Sequence, residues 1–105
     1  VVVCPGPAPR KAIARTHFPG ARLLPGVGLG TYAALLQDAA LMLSNDTGPG
    51  HMAAAVGTPL VSVMGPSDPA LWHPWGPDVQ VLGGQGTWPD RGRVLQAVQQ
   101  RLARR

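Results

Sequence analysis

The sequence predicts an α/β fold: a mostly parallel sheet of about five strands with helices on both faces. Three observations predict it. Short β-branched or apolar runs alternate with stretches of helical periodicity, and strands alternating with helices build a parallel sheet covered on both sides. Gly and Pro, 14 and 12 of the 105 residues, are spread between these runs as turn punctuation and are not gathered into a low-complexity tract. Hydrophobic residues make up 45% of the chain, which suits a globular core in a single domain of this length, residues 1–105.

In order along the chain, Val1–Cys4 is a β-branched run that reads as a buried strand. Pro5, Gly6, Pro7 and Pro9 end it. Ala8–Arg15 then forms a short helix, with Pro9 in the first turn, where a missing N–H costs nothing. Pro19-Gly20 is a turn, and Arg22–Leu24 is a second short strand closed by Pro25-Gly26. Thr31 is the expected N-cap of a helix through Ala40, which places Leu35, Leu36, Ala39 and Ala40 on one face. Leu41–Ser44 is the third strand. Pro49–Val56 is a small-residue helix stopped by Gly57 with Pro59 just beyond. Leu60–Met64, the helical turn Asp68–Trp72 and the strand Val79–Leu82 follow. Arg91–Arg104 is a final amphipathic helix with Val94, Leu95, Val98 and Leu102 facing in, and its C-terminal arginines complement the helix dipole. The chain opens on Val1-Val2-Val3 without Met and reads as part of something longer.

All five acids are Asp, and nine Lys+Arg give a formal charge of +4. The basic residues sit mostly toward the ends: Arg10, Lys11, Arg15 and Arg22, then Arg91, Arg93, Arg101, Arg104 and Arg105. Such a surface favours an anionic partner or serves as plain solvated charge. No nucleic-acid motif accompanies it, and few aromatics lie among the basic residues, so nucleic acid is not expected as a partner. Cys4 is the sole cysteine, which rules out an internal disulfide and fits a reducing compartment. No apolar run approaches the ~20 residues of a membrane helix. His17, His51 and His73 lack Cys or Glu at metal spacing, so no metal is expected. Ser62 lies inside a strand without a G-x-S-x-G elbow, and Cys4 has no assignable base.

In a doubly wound sheet, ligands bind beyond the carboxyl ends of the strands. The segment Asn45-Asp46-Thr47-Gly48-Pro49-Gly50-His51 stands there, between the third strand and the next helix. The first N–H groups of a helix lack internal partners and, with the dipole, attract an anion. Gly48 and Gly50 admit phosphate oxygens to the backbone, and Pro49 pre-sets the first turn. The Thr47 hydroxyl can donate to phosphate, and His51 can add a donor or a charge. Asp46 is a poor phosphate ligand; it accepts either backbone N–H groups or a sugar or ribose hydroxyl. The plainer reading is an ordinary N-cap by Asp46 or Thr47 with a surface histidine. Gly26-Val27-Gly28-Leu29-Gly30 imitates a dinucleotide fingerprint, but the third glycine position is Thr31, and nicotinamide or flavin cofactors are not expected. Beyond the fourth strand, Ser67 or Asp68 can cap the short helix. Trp72 and Trp75 either stack on a sugar or base or cover the edge of the core, and His73 could reach a phosphate.

The run LMLSNDTGPGHMAAAVGTPLVSVMGPSDPALWHPWGP resembles the donor-binding half of glycosyltransferase family 9, the ADP-heptose:lipopolysaccharide heptosyltransferases and their relatives. The family pattern D-[ST]-G-x-x-H, then a small-residue helix, G-x-P, a strand and G-[PA]-[ST]-D-P is met by Asp46-Thr47-Gly48-Pro49-Gly50-His51, Gly57-Thr58-Pro59 and Gly65-Pro66-Ser67-Asp68-Pro69. The upstream LLPGVGLGTYAALLQDA is similar too. The resemblance implies a Rossmann-like domain, the C-terminal half of a GT-B type glycosyltransferase. It further implies that Asp46, Thr47, Gly48, Pro49, Gly50 and His51 hold the donor diphosphate and sugar, with Ser67 and Asp68 as additional contacts. Leu24, Pro25 and Gly26 would line the base pocket. The donor would be ADP-heptose or another nucleotide sugar, and the acceptor a lipopolysaccharide core. No catalytic residue, metal or cofactor is expected within this chain, since the family's base comes from the N-terminal domain. A cytoplasmic location is implied, with peripheral contact at the inner face of the bacterial inner membrane. The chain departs from the family in carrying Gly50 where a larger apolar residue is usual and in lacking a Glu near the start of the Thr31–Ala40 helix. The family's domain also begins one strand and helix earlier, and that strand would stand beside Leu41–Ser44. A competing reading is a non-catalytic α/β module that self-associates through exposed strand edges.

Overall fold

The computed structural model describes residues 1–4, 19–24 and 26–104. Two compact units make up the chain, Val1–Tyr32 and Ala33–Arg105. In the first, β1 (Val2–Val3) pairs in parallel with β2 (Arg22–Leu23). Beyond the ladder, Leu24 N–H donates to the Val3 carbonyl at 2.9 Å. Burial raises the Cys4 thiol above its ordinary range; the Tyr32 phenol is raised by burial first and by Cys4 second. The helix expected over Ala8–Arg15 lies outside the described residues, as do His17 and Pro25.

Helix α1 (Leu29–Asp38) begins two residues before the expected Thr31 and stops short of Ala39 and Ala40. The Gly28 carbonyl accepts the Tyr32 N–H at 2.9 Å, so Gly28 takes the N-cap place and Thr31 lies within the first turn. At the other end Ala39 N–H turns back onto the Leu36 carbonyl at 3.1 Å.

The second unit is built on a parallel sheet of order β3 (Met42–Asn45), β4 (Leu60–Met64), β5 (Val79–Gly83). The register runs Ser44↔Ser62↔Val81. Strand β4 is central, and all but one of its residues are buried, which is why its sequence is nearly continuous in apolar residues. Hydrogen bonding thus groups the strands as two and three, with every neighbouring pair parallel. Helix α2 (Gly48–Ala55) joins β3 to β4. It ends with Gly57 N–H on the Ala54 carbonyl and Thr58 N–H on the Ala53 carbonyl, the paired bonds of a Schellman turn, with Gly57 at φ +85°. The buried Thr58 hydroxyl then donates to the Leu36 carbonyl at 2.6 Å, fastening this turn to α1.

After β4 come the short helix α3 (Pro69–Trp72) and, after β5, α4 (Arg91–Ala103). Asp68 and Asp90 cap them, accepting from Ala70 N–H at 3.0 Å and Arg93 N–H at 2.7 Å. The core under α4 consists of Val61, Leu82 and Ala97, with Leu41 and Val94 packed against it. Of the expected inner face, Val94 and Val98 are half-buried but Leu95 and Leu102 are exposed; Ala97 and the stem of Arg101 complete the inward stripe. The small Ala97 lets the helix approach the sheet. Arg101 buries its stem, and its head pairs with the Asp78 carboxylate at the start of β5. Trp72 and Trp75 are also exposed, so neither closes the core edge.

Candidate functional site

The turn 46–51 stands at the carboxyl end of β3, beside the carboxyl end of β4, as a doubly wound sheet requires of a ligand site. Thr47 takes the N-cap place in extended conformation, but its side chain makes no capping bond. Its hydroxyl lies 3.4 Å from the Ser44 hydroxyl and 3.5 Å from the Asn45 carbonyl, the latter too long to hold it firmly. Thr47, Gly48, Pro49 and His51 are exposed, with Pro49 in the first turn as expected. An anion approaching the N-terminus of α2 would therefore meet these residues first.

Gly50 differs from them. It is buried, and a β-carbon there would come within 3.1 Å of the Ser44 hydroxyl and 3.4 Å of the Asn45 carbonyl. Glycine at this position therefore has a packing role. It allows the first turn of α2 to sit directly on the end of β3.

Asp46 is half-buried and does not cap α2. Its Oδ2 accepts from the Ser67 hydroxyl at 2.5 Å. This bond links turn 46–51 to loop 65–69, two segments separated in the chain by the whole of α2 and β4. Loop 65–69 is held in turn by the segment after β5. Gln85 N–H donates to the Ser67 carbonyl and Gly86 N–H to the Gly65 carbonyl, both at 2.8 Å. Gln85 and Gly86 have φ of 55° and 90°, and Gly84 N–H meets the Thr87 carbonyl at 2.8 Å; this is a tight turn of the type that closes hairpins. Asp68 is committed to the α3 cap, with the Gln85 amide at 3.5 Å. The part played by turn 84–87 was missed in the sequence. Its signal was there: a Gly-rich stretch directly after the carboxyl end of a strand.

His73 Nδ1 lies 2.6 Å from the Pro69 carbonyl. A carbonyl only accepts, so Nδ1 carries the proton there, and Nε2 is the acceptor of the neutral ring. His51 and His73, with Ala55, Leu71, Trp72 and Trp75, line an open hollow of about 390 Å³. A larger hollow of about 580 Å³ beside β5 involves none of residues 46–51. Of the expected base-pocket residues, Leu24 is half-buried and Gly26 is exposed with φ +72°; both belong to the first unit, and Pro25 is outside the described residues. Among the described residues no group of three or more His, Cys, Asp or Glu gathers as metal ligands, and no helix is long and apolar enough to cross a membrane.

The D-T-G-x-x-H turn thus opens a small-residue helix, with loop 65–69 bonded to it through Ser67. The sequence model of glycosyltransferase family 9 (heptosyltransferase) matches residues 1–100. The chain belongs to glycosyltransferase family 9. Lipopolysaccharide heptosyltransferase 3 of Escherichia coli K12 is 48% identical over 42 residues, covering 40% of this chain and 12% of that protein. A second Escherichia coli lipopolysaccharide heptosyltransferase 3 matches with the same identity and coverage. The chain thus corresponds to a small part of the length of these relatives. No solved structure matches significantly.

Proposed function

We propose that this family 9 chain binds the nucleotide-sugar donor of a glycosyl transfer, with turn 46–51 holding the donor's diphosphate. The observation that carries this reading is the uncapped, exposed N-terminus of α2 in a D-T-G-x-x-H segment at the carboxyl end of a parallel strand. Thr47 donates to a phosphate oxygen, His51 adds a second donor, and the first N–H groups of α2 face the charge. Asp46 accepts from a sugar hydroxyl; the resemblance alone assigns the base to Leu24, Pro25 and Gly26. The donor in this reading is ADP-heptose or another nucleotide sugar and the acceptor a lipopolysaccharide core, in a GT-B enzyme working at the inner face of the inner membrane. The transfer base lies outside these residues, and no metal is required.

Calorimetry of the full-length protein with ADP, UDP and ADP-heptose tests this. Millimolar or tighter binding of ADP and ADP-heptose is expected; a folded protein that binds none of the three refutes the reading. Combining Thr47→Ala with His51→Ala should weaken ADP binding tenfold or more, the worth of one or two charge-assisted hydrogen bonds, and leave adenosine nearly unaffected. Equal losses for ADP and adenosine would argue against phosphate contact.

A further inference from the structure

A carboxylate beside a diphosphate is repelled by it unless it is aimed elsewhere, and Asp46 is the first residue of the turn proposed to meet the anion. A short acid side chain with exposed neighbours would ordinarily sample several rotamers. Here it does not stand alone: Oδ2 takes the Ser67 proton at 2.5 Å, while among the described residues Oδ1 has no protein partner. Ser67 is itself immobilised. Its carbonyl accepts from Gln85 N–H, and the Gly65 carbonyl two residues earlier accepts from Gly86 N–H. The indole of Trp88 lies against Gly65, where a β-carbon would overlap its ring. Three loops, each following a different strand, therefore converge on the orientation of one carboxylate.

We propose that Ser67 is a positioning residue for donor recognition: its hydroxyl engages one oxygen of Asp46 and leaves the other to accept a hydroxyl of the donor's sugar. The proposal rests on the donor-binding reading given above. Ser67 need not touch the donor. Turn 84–87 contributes by fixing the backbone on which Ser67 stands.

The test is calorimetry of the full-length protein with ADP and with ADP-heptose. Ser67→Ala is expected to weaken ADP-heptose binding about tenfold and to leave ADP binding within about twofold, because ADP lacks the sugar that Asp46 reads. Ser67→Thr, which keeps the hydroxyl, should restore the wild-type ratio. Asp46→Ala should show the same selective loss, and adding Ser67→Ala to it should cost nothing further. Equal weakening of both ligands, no weakening of either, or additive losses in the double variant overturns the positioning role while the donor reading stands. A wild-type protein that binds neither ligand overturns both.

Discussion

Ser62 lies at the centre of the sheet, between Ser44 and Val81 in register, and is fully buried. Among the described residues its hydroxyl has no hydrogen-bond partner. Burying a hydroxyl without compensation costs about 1–3 kcal/mol. Ser62→Ala removes that cost, forfeits a few contacts of one oxygen, and loses a few tenths of a kcal/mol in strand preference. A net stabilisation of about 1 kcal/mol is expected. For a unit of this size that corresponds to a rise in Tm of about 4–8 °C.

Urea unfolding gives the cleanest reading, since a higher midpoint at unchanged slope reports stability alone. Ser62→Thr is the control: it keeps the hydroxyl and adds a methyl group beneath α2, so no gain is expected. A loss of about 1 kcal/mol or more for Ser62→Ala would refute the reasoning. It would mean that the hydroxyl is satisfied, as by a buried water shared with a neighbouring polar group.

Three further outcomes follow from other contacts. Thr58→Val should cost about 1–2 kcal/mol in urea unfolding, because it removes the buried 2.6 Å bond to the Leu36 carbonyl at nearly constant volume; an unchanged midpoint would show that the bond contributes nothing. Gly50→Leu should cost about 1–3 kcal/mol by overpacking against Ser44, and Ser44→Ala should recover part of that loss; simple additivity of the two changes would refute the close approach. Alkylation of Cys4 by iodoacetamide at mildly alkaline pH should lag behind free cysteine, because burial raises its pKa and depletes the thiolate; an equal or faster rate would refute this.

Strand β4 was legible to the residue because both its neighbours and its faces are protein, so an unbroken apolar run between turn residues has no competing interpretation. The N-cap of α1 was displaced by three residues because Thr31 has the stronger intrinsic cap preference, while the chain uses the Gly28 carbonyl. The face of α4 was misread because hydrophobicity favours Leu95 and Leu102. Packing favours Ala97, whose small size brings the helix onto Val61 and Leu82, with Arg101 anchored at Asp78. At the site, the contiguous turn 46–51 was legible from residue type and position. The Asp46–Ser67 bond was not, because no local pattern announces a pairing across α2 and β4.

The small residues beneath the turn share one physical reason. An anion site at a helix N-terminus works only if the helix start is brought level with the strand end, and the thickness of the layer between helix and sheet sets that height. Gly50, Ala53 and Ala54 on α2 and Ser44 and Ser62 on the sheet are all buried or nearly so. Every one of them is small, so α2 lies close to β3 and β4. Alanine at position 62 keeps that spacing, whereas valine or leucine would lift the helix. Serine at 44 adds a function that alanine would lack: its hydroxyl donates to the Asn45 carbonyl at 2.8 Å, tying down the last strand residue just before Asp46. Gly50, which departs from the family's usual apolar residue, fits this layer: a β-carbon there would crowd the Ser44 hydroxyl beneath it.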